Sequence, residues 1–281
     1  MGDMDGDGDL DLVVGGVLMY RNDGQDELDR PIMSSHILIE GSGRSFALGD
    51  MDGDGDLDLA IGESLYRNDG LNGQGFPQMT SNPSLPRSDD CRIGFTSPAW
   101  GDANSDGRLD LALVCNNYPP GVQDFFLYIN LGIDAQGYTQ MADAWSPQTF
   151  SGSSDNHVAW GDMDGDRDLD LVVVSSNNKP IEVFRNDAGT LTPNPVWTST
   201  QQDHTVSLAL ADVDGDGNLD IAVGNNSQTI RIYQNDSATT LLNDPQSTSY
   251  TGNYGENLQY RIIYYELSSG IEFQSCSSCA S

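Results

Sequence analysis

The chain has 281 residues, enough for one large β domain or two small ones. It carries 43 acidic and 12 basic residues, a formal net charge of −31, and its single lysine is Lys179. Because phosphate recognition needs clustered Lys and Arg, this composition argues against nucleic acid and anionic membranes as partners. No apolar run reaches the roughly 18 residues of a membrane-spanning helix, so we expect no membrane insertion.

An acidic loop motif opens the chain and recurs along it. Asp residues alternate with Gly or another residue, and copies begin at residues 3, 50, 102, 162 and 212. Such a loop can curl so that several side-chain oxygens converge on one point. Converging anions repel one another unless a hard cation lies among them, and Ca²⁺ takes six to eight oxygens with flexible geometry. The sequence therefore predicts up to five Ca²⁺ ions.

Loop positions are numbered here from the first Asp of each copy. Side-chain oxygens at positions one, three, five and nine are the predicted ligands, together with the backbone carbonyl of position seven. The predicted side-chain ligands are Asp3, Asp5, Asp7 and Asp11; Asp50, Asp52, Asp54 and Asp58; Asp102, Asn104, Asp106 and Asp110; Asp162, Asp164, Asp166 and Asp170; and Asp212, Asp214, Asp216 and Asp220. The predicted carbonyl ligands are Asp9, Asp56, Arg108, Asp168 and Asn218. The fourth loop has Arg167 where position six favours Gly, so we expect it to be the weakest site.

The residues after each loop exclude an EF-hand, which needs a bidentate Glu at position twelve and flanking helices. Position twelve is Val14, Ile61, Leu113, Val173 or Val223, inside apolar runs that read as buried strands. An array of the RTX type would repeat every nine residues, whereas these copies lie about fifty apart.

A second marker follows each loop: an aromatic residue at its first place and Asn at its third, which continues as Asp-Gly in the first two copies. Residues 20–24 and 66–70 are the clearest examples. Asn and Gly tolerate positive φ, so this marker predicts a hairpin turn. Each unit then reads as strand, loop, strand, hairpin and strand, with room for a fourth strand. Units of this length and content are typical of β-propeller blades.

The repeated Gly-Asp-x-Asp-Gly-Asp-Gly-x-x-Asp followed by a strand, as in residues 49–58, resembles FG-GAP/VCBS-type repeats, the blades of integrin-α-like β-propellers. The resemblance implies an all-β propeller of about four-stranded blades over residues 1–240, with Ca²⁺ in loops at one face. The family usually has six or seven blades and five motifs are visible here, so an incomplete ring, or one to which residues 241–281 contribute strands, is expected. No secretory signal is visible and Met1 runs straight into the first loop, so we expect N-terminal truncation.

The resemblance also implies a secreted or cell-surface role in adhesion or ligand binding. We expect a module that binds an extracellular protein or a glycan and is not an enzyme, with mainly structural Ca²⁺ because each loop carries its own ligand set. Two alternatives are open. The first is a carbohydrate-active enzyme on a propeller, either a polysaccharide lyase or a glycoside hydrolase. The second is a spacer in a longer surface protein.

Few other residues indicate a catalytic, redox or binding function. The cysteines are Cys91, Cys115, Cys276 and Cys279; a Cys91–Cys115 disulfide and free thiols are equally compatible with the sequence. The histidines are not at equivalent places in the repeats, and no nucleophile motif accompanies them. The four tryptophans could stack on sugars, but their positions in the repeats favour packing between blades.

Overall fold

The computed structural model describes residues 1–40, 45–83, 85–86, 97–114, 125–145, 147, 156–176, 178–226, 229–235 and 247–249. They belong to one compact unit, Met1–Tyr250. A second unit, Thr251–Ser281, lies outside the described residues, as do all four cysteines. No helix in the described part is long and apolar enough to cross a membrane.

Five antiparallel sheets follow one another along the described part of the chain in a five-bladed propeller arrangement, and we call them blades one to five. Blade one contains β1 (Leu12–Val14), β2 (Leu18–Gln25) and β3 (Pro31–Ile37). Blade two contains β4 (Phe46–Gly49), β5 (Asp58–Ile61), β6 (Ser64–Leu71) and β7 (Pro77–Ser81). Blade three contains β8 (Ser97–Gly101), β9 (Asp110–Val114), β10 (Phe125–Ile133) and β11 (Thr139–Trp145). Blade four contains β12 (Asn156–Gly161), β13 (Asp170–Ser175), β14 (Glu182–Phe184) and β15 (Trp197–Thr198). Blade five contains β16 (Thr205–Ala211), β17 (Asp220–Asn225), β18 (Arg231–Tyr233) and β19 (Ser247–Ser249).

Each acidic loop joins the first and second strands of a four-stranded blade. The register places the residue before position one opposite position nine, as in Gly49 opposite Asp58 and Gly101 opposite Asp110. Blade one has three strands, and there the same pairing is an isolated bridge between Gly2 and Asp11. The predicted strands after the loops are confirmed, and the loop ends are therefore fixed by strand pairing.

The core lies between neighbouring blades. In blades two to five the apolar runs after the loops are buried on both faces: positions ten and twelve face the preceding blade, and position eleven faces the opposite side. Leu171 and Val173 of blade four, for example, pack with Ala112 and Val114 of blade three. This explains why these runs are continuous and apolar without alternation. In blade one, Leu12 and Val14 are exposed and only Val13 is buried.

The predicted turn at the second marker is wrong for blades one to three, at residues 22–24, 68–70 and 130–132, although the strands on either side do pair as hairpins. These residues lie inside β2, β6 and β10, where the register with the following strand shifts. The glycines Gly24, Gly70 and Gly132 have φ of 90°, 85° and 91°, so they form bulges. The turn comes later, as at Asn72, whose N–H donates to Phe76 O over 2.8 Å.

Candidate metal centres

The loop backbone wraps around the position-one carboxylate. In the second loop, Asp50 Oδ1 accepts the N–H groups of Gly53 at 2.8 Å and Asp54 at 3.1 Å, and Asp50 Oδ2 accepts that of Gly55 at 3.0 Å. Gly53 and Gly55 have φ of 80° and 96°, a conformation that glycine adopts without strain. The glycine spacing of the motif therefore produces the curled loop.

Positions one, three and nine come together in four of the five loops. Within each of these triads, one carboxylate oxygen from every residue lies within 4.8 Å of the others. The triads are Asp3, Asp5 and Asp11; Asp50, Asp52 and Asp58; Asp162, Asp164 and Asp170; and Asp212, Asp214 and Asp220. Three converging carboxylates are the donor set of a hard divalent cation, so these residues fit a metal ion.

The position-nine carboxylate is the buried end of each site. Asp58 is fully buried, and its oxygens accept the N–H groups of Met51 and Asn68, each at 2.7 Å. The same two bonds recur in every loop, at Asp11, Asp110, Asp170 and Asp220. Burial raises the pKa of Asp58 and of Asp170 to about 7, although these N–H bonds oppose the rise. A bound cation would favour the ionised form and remove this cost.

Position three lies between the buried and the exposed ends of the site. Burial, followed by the charge of Asp54, raises the pKa of Asp52, and burial likewise raises the pKa of Asp5 and Asp164. These neighbouring anions are the repulsion that a cation would relieve.

Positions five and seven form the rim of the loops, and position five is exposed in every loop. The position-five carboxylates Asp7, Asp54, Asp166 and Asp216 lie outside the triads. Each accepts the position-seven N–H, from Asp9, Asp56, Asp168 and Asn218 respectively, at 2.8–2.9 Å. The structure thus places the predicted position-five ligands beside the triad and ties them to position seven. Coordination by positions five and seven stays a prediction.

The third loop, and not the fourth, departs most from the geometry that the other loops share. Its position three is Asn104, which replaces one carboxylate of the triad, and Arg108 pairs with the position-five carboxylate Asp106. Arg108 also donates its Nε–H to Asn130 O over 2.8 Å. A guanidinium at the rim competes electrostatically with a bound cation.

The fourth loop closes like the others in spite of Arg167. Arg167 has a φ of 80°, and its N–H donates to Asp162 Oδ2 over 3.0 Å, as Gly55 does to Asp50 in the second loop. The fourth triad is complete. Backbone strain is therefore present at Arg167, but it does not open the site.

Sequence reasoning missed the role of the asparagine in the second marker. Its side-chain Nδ2 donates to the position-two carbonyl of the preceding blade's loop. The pairs are Asn68 to Met4 at 3.3 Å, Asn130 to Met51 at 2.8 Å, Asn186 to Ala103 at 2.6 Å and Asn235 to Met163 at 2.7 Å. We call this contact the Asn clamp. The recurrence of Asn at the third place of every marker was the signal available in the sequence.

Two arginines of the same marker were also missed. Arg67 Nε lies 3.9 Å from Asp52 Oδ2, and Arg21 Nε lies 3.7 Å from Asp5 Oδ2, so both approach position three of their own loop. Arg21 also donates to Gly75 O of blade two over 2.7 Å, and Arg67 donates to Gly137 O of blade three. These arginines therefore link a metal loop to the next blade's turn.

The tryptophans pack between or within blades. A Cβ at Gly101 would lie 2.7 Å from Trp160 Cδ1, and one at Gly49 would lie 2.7 Å from Trp100 Cδ1. Trp145 packs edge-on against Phe184, and Trp197 against Tyr233. Among the histidines, His36 stacks on Phe76.

Comparisons with known proteins find one repeat family and several structures of similar fold. The model of the FG-GAP-like repeat matches residues 3–61 and 162–223. No curated protein matches the chain. Among solved structures, an Agrocybe aegerita lectin that recognises non-reducing terminal N-acetylglucosamine superposes with a TM-score of 0.57 at 18% identity. The match covers 85% of this chain and 62% of the lectin, so the chain spans less than two thirds of that protein.

Two further structures are less similar. A Photorhabdus luminescens Tc holotoxin pore matches at 17% identity over 86% of this chain and 12% of the pore chain, with a TM-score of 0.43. The V. cholerae biofilm matrix protein Bap1 matches at 15% identity over 87% of this chain and 38% of that protein, also with a TM-score of 0.43. The likeness to the lectin, at 18% identity, concerns the fold alone.

Proposed function

Because this chain is an FG-GAP-like repeat protein with a β-propeller arrangement, we propose that it is a calcium-binding module that binds an extracellular protein or glycan. The observation that carries the proposal is the recurrence of the carboxylate triads. Four loops at different places in the chain each bring carboxylate oxygens of positions one, three and nine within 4.8 Å of one another. Converging carboxylate oxygens are hard donors, which suit Ca²⁺ better than softer metals.

We infer that the ions are mainly structural. Each triad draws all its carboxylates from one loop, so the donor set does not depend on a ligand molecule. Position nine is buried and tied to two backbone N–H groups, and the position-two carbonyl of the same loop is held by the next blade. An ion would therefore order a junction between blades, and ligand binding would use other surfaces of the fold.

The affinity of such loops supports an extracellular or cell-surface location. Extracellular calcium modules bind at about 10⁻⁴ to 10⁻³ M, and sites of that strength would stay empty in a low-calcium cytosol. The lectin of similar fold supports the glycan part of the proposal only as one example of a glycan-binding protein with this architecture.

A binding screen against glycans and extracellular-matrix proteins, run in CaCl₂ and in EDTA, tests the proposal. We expect saturable binding to one class that is lost in EDTA together with thermal stability. Turnover of a polysaccharide in the same screen would replace the binding role with an enzymatic one. Absence of any binding by the folded, calcium-loaded chain would contradict the proposal and leave the spacer role.

A further inference from the structure

The third loop, residues 102–110, has the backbone of a metal loop. Asp102, at position one, accepts the N–H of Asp106 at 2.9 Å and that of Gly107 at 2.8 Å, so the loop curls around this carboxylate. Asp110, at position nine, is fully buried and accepts the same two backbone N–H groups as in the other loops. The third loop therefore differs from the others in its side chains and not in its overall path.

Position three of this loop presents a hydrogen-bond donor where the second loop presents an oxygen. Asp52 Oδ1 accepts the Asp54 N–H at 3.3 Å, and its second side-chain atom is the carboxylate Oδ2. Asn104 Oδ1 accepts the equivalent Asp106 N–H at 3.0 Å, so its second atom is the amide Nδ2, which donates to Asp106 Oδ2 over 3.0 Å. An amide N–H group donates and does not ligate a cation, so position three lacks one oxygen of a metal site.

Position seven of the third loop supplies a cation of its own. The Arg108 guanidinium pairs with the Asp106 carboxylate, and its Nε–H donates to Asn130 O over 2.8 Å. Asp106 Oδ1 also accepts the Arg108 backbone N–H at 3.0 Å, so both oxygens of this carboxylate hold N–H donors. The other four loops have Asp or Asn at position seven. Only the third loop therefore has a positive charge fixed on its position-five carboxylate.

The formal charge of the loops agrees with this role. Residues 102–110 contain three Asp and one Arg, which gives a charge of −2. Residues 162–170 contain five Asp and one Arg, and residues 212–220 contain four Asp, so each of these loops has a charge of −4. One Ca²⁺ would bring the fourth and fifth loops to −2, the charge that the third loop has from its residues alone.

The second place of the marker differs in blade three as well. In blades one, two and five this residue is Arg21, Arg67 or Gln234, and its side-chain nitrogen lies 3.7, 3.9 or 2.9 Å from the Oδ2 of position three in its own loop. Blade three has Ile129 at this place, packed against the core. A donor at the marker thus accompanies a carboxylate at position three, whereas an apolar residue accompanies the amide of Asn104.

We propose that Arg108 takes the place of the ion in the third loop, so that the folded chain binds four Ca²⁺ and the third loop stays closed without calcium. The count of four rests on the proposed function, whereas the role of Arg108 does not. When calcium is removed, blade three should keep its loop closed while the loops of blades two and four open.

Calorimetric titration of the full chain with CaCl₂ tests the count. We expect four ions per wild-type chain. The double variant Asn104→Asp/Arg108→Asn gives the third loop the residues that the fifth loop has at positions three and seven, so we expect it to bind five. Five ions in the wild type would overturn the proposal, and four ions in both proteins would overturn the role given to these two side chains.

Substitutions in the fifth loop are the matched controls. The double variant Asp214→Asn/Asn218→Arg gives this loop the position-three and position-seven residues of the third loop, and it should lower the count by one ion. Asn218→Ala adds no charge and keeps the backbone carbonyl, so it should bind as many ions as the wild type. Loss of an ion in Asn218→Ala would show that any change at position seven prevents binding, which contradicts a specific effect of the guanidinium.

Amide hydrogen exchange tests loop closure directly, because the N–H groups of Asp106 and Gly107 are bonded to position one. In the wild type their exchange rates should be the same in CaCl₂ and in EDTA. The equivalent N–H groups of Asp54 and Gly55 in the second loop should exchange at least about tenfold faster in EDTA, because carboxylate repulsion then opens that loop.

Arg108→Gln tests the guanidinium without calcium. In EDTA it should raise the exchange rates of Asp106 and Gly107 by about tenfold, the size expected for loss of one charged hydrogen bond. Arg30→Gln is the matched control, because Arg30 pairs with Asp26 at an exposed turn of blade one, and it should leave these rates unchanged.

The two measurements separate the proposal from the function on which its count rests. Unchanged exchange of the third loop in Arg108→Gln would overturn the role of Arg108 even if calcium binds to the other loops. A chain that binds no calcium, but whose third loop opens in Arg108→Gln, would contradict the proposed function and support the role of Arg108.

Discussion

The side-chain amide of Asn130 lies 2.8 Å from the backbone oxygen of Met51, and this contact joins blade three to the second metal loop. The backbone N–H of Asn130 meanwhile donates to Asp110 in its own loop, and that of Met51 donates to Asp58. One asparagine therefore connects two candidate metal sites that belong to different blades. Ion binding and blade packing involve the same residues.

Replacement of this asparagine should be costly. Asn130→Ala removes donors to the buried carbonyls of Met51 and Leu109, so we expect a loss of about 2–4 kcal/mol in the free energy of unfolding. Urea denaturation in CaCl₂ measures it. Asn22→Ala is the matched control, because among the described residues the Asn22 side-chain amide donates to no carbonyl of another blade, and its cost should stay below about 1 kcal/mol. Equal losses of unfolding free energy in the two variants would show that the Asn clamp does not stabilise the junction between blades.

Calcium should raise the melting temperature specifically. At about 2 mM Ca²⁺ and a Kd near 10⁻⁴ M, mass action stabilises the folded state by about 1.8 kcal/mol per site, so four triads together approach about 7 kcal/mol. Thermal melts in CaCl₂, MgCl₂ and EDTA test this, with MgCl₂ as the control for ionic strength and charge. Equal melting temperatures in all three would mean that the loops do not bind calcium in the folded chain.

Two positions of one loop should respond differently to removal of the metal. Asp54→Ala should lose one bound Ca²⁺ and leave the stability in EDTA nearly unchanged, because Asp54 is exposed. Asp58→Ala should lose the ion and also reduce stability in EDTA at pH 6, by about 1–3 kcal/mol for each N–H left without an acceptor. Calorimetric titration and urea denaturation measure the two effects. A Ca²⁺ stoichiometry unchanged in Asp54→Ala would exclude position five as a ligand.

The glycine before position one should not tolerate a side chain. In Gly101→Ala the added Cβ would lie 2.7 Å from the indole of Trp160, so overpacking should cost about 1–3 kcal/mol. Gly73→Ala is the control, because a Cβ there meets nothing within 4 Å and its φ is not positive. Urea denaturation of both variants should separate them, and similar midpoints would argue against close packing at this junction.

Glu182 should make stability depend on pH independently of the metal loops. Burial raises its pKa from 4.5 to about 7, and the charge of Lys179 opposes the rise only in part. The folded state therefore binds a proton that the unfolded state has released, so the contribution is present at low pH and is lost as pH rises through 7.

Glu182→Gln should accordingly raise the free energy of unfolding at pH 8 and change it little at pH 4.5. Urea denaturation across this range, in EDTA, measures the difference. Glu27→Gln, at an exposed turn, is the control and should show no such trend. An equal effect of Glu182→Gln at both pH values would show that Glu182 does not titrate in this window.

Local patterns predicted most of the repeat. Alternating Asp with Gly between them specifies the curled loop, and the apolar run after position nine specifies a strand buried on both faces, so loops and strands were both readable. Five equivalent units then indicated a propeller. All of these features depend on residues close together in sequence.

Features that depend on the neighbouring strand or blade could not be predicted from the sequence. The glycine of Asn-Asp-Gly has positive φ in a turn and in a bulge alike, and only the register of β2 with β3 shows that Gly24 lies in a bulge. The amide of Asn130 reaches a carbonyl 79 residues away. Arg167 keeps its conformation because its N–H has the Asp162 carboxylate as acceptor, which a propensity for glycine does not reveal.

The Asn clamp joins each described blade to the next at four successive junctions. In a repeat protein of this kind, stability is a sum of blade terms and junction terms, so loss of one junction should loosen the two blades beside it more than a distant blade. In Asn130→Ala, amide exchange should therefore accelerate most in β5 and β9, which flank the altered junction, and least in β17.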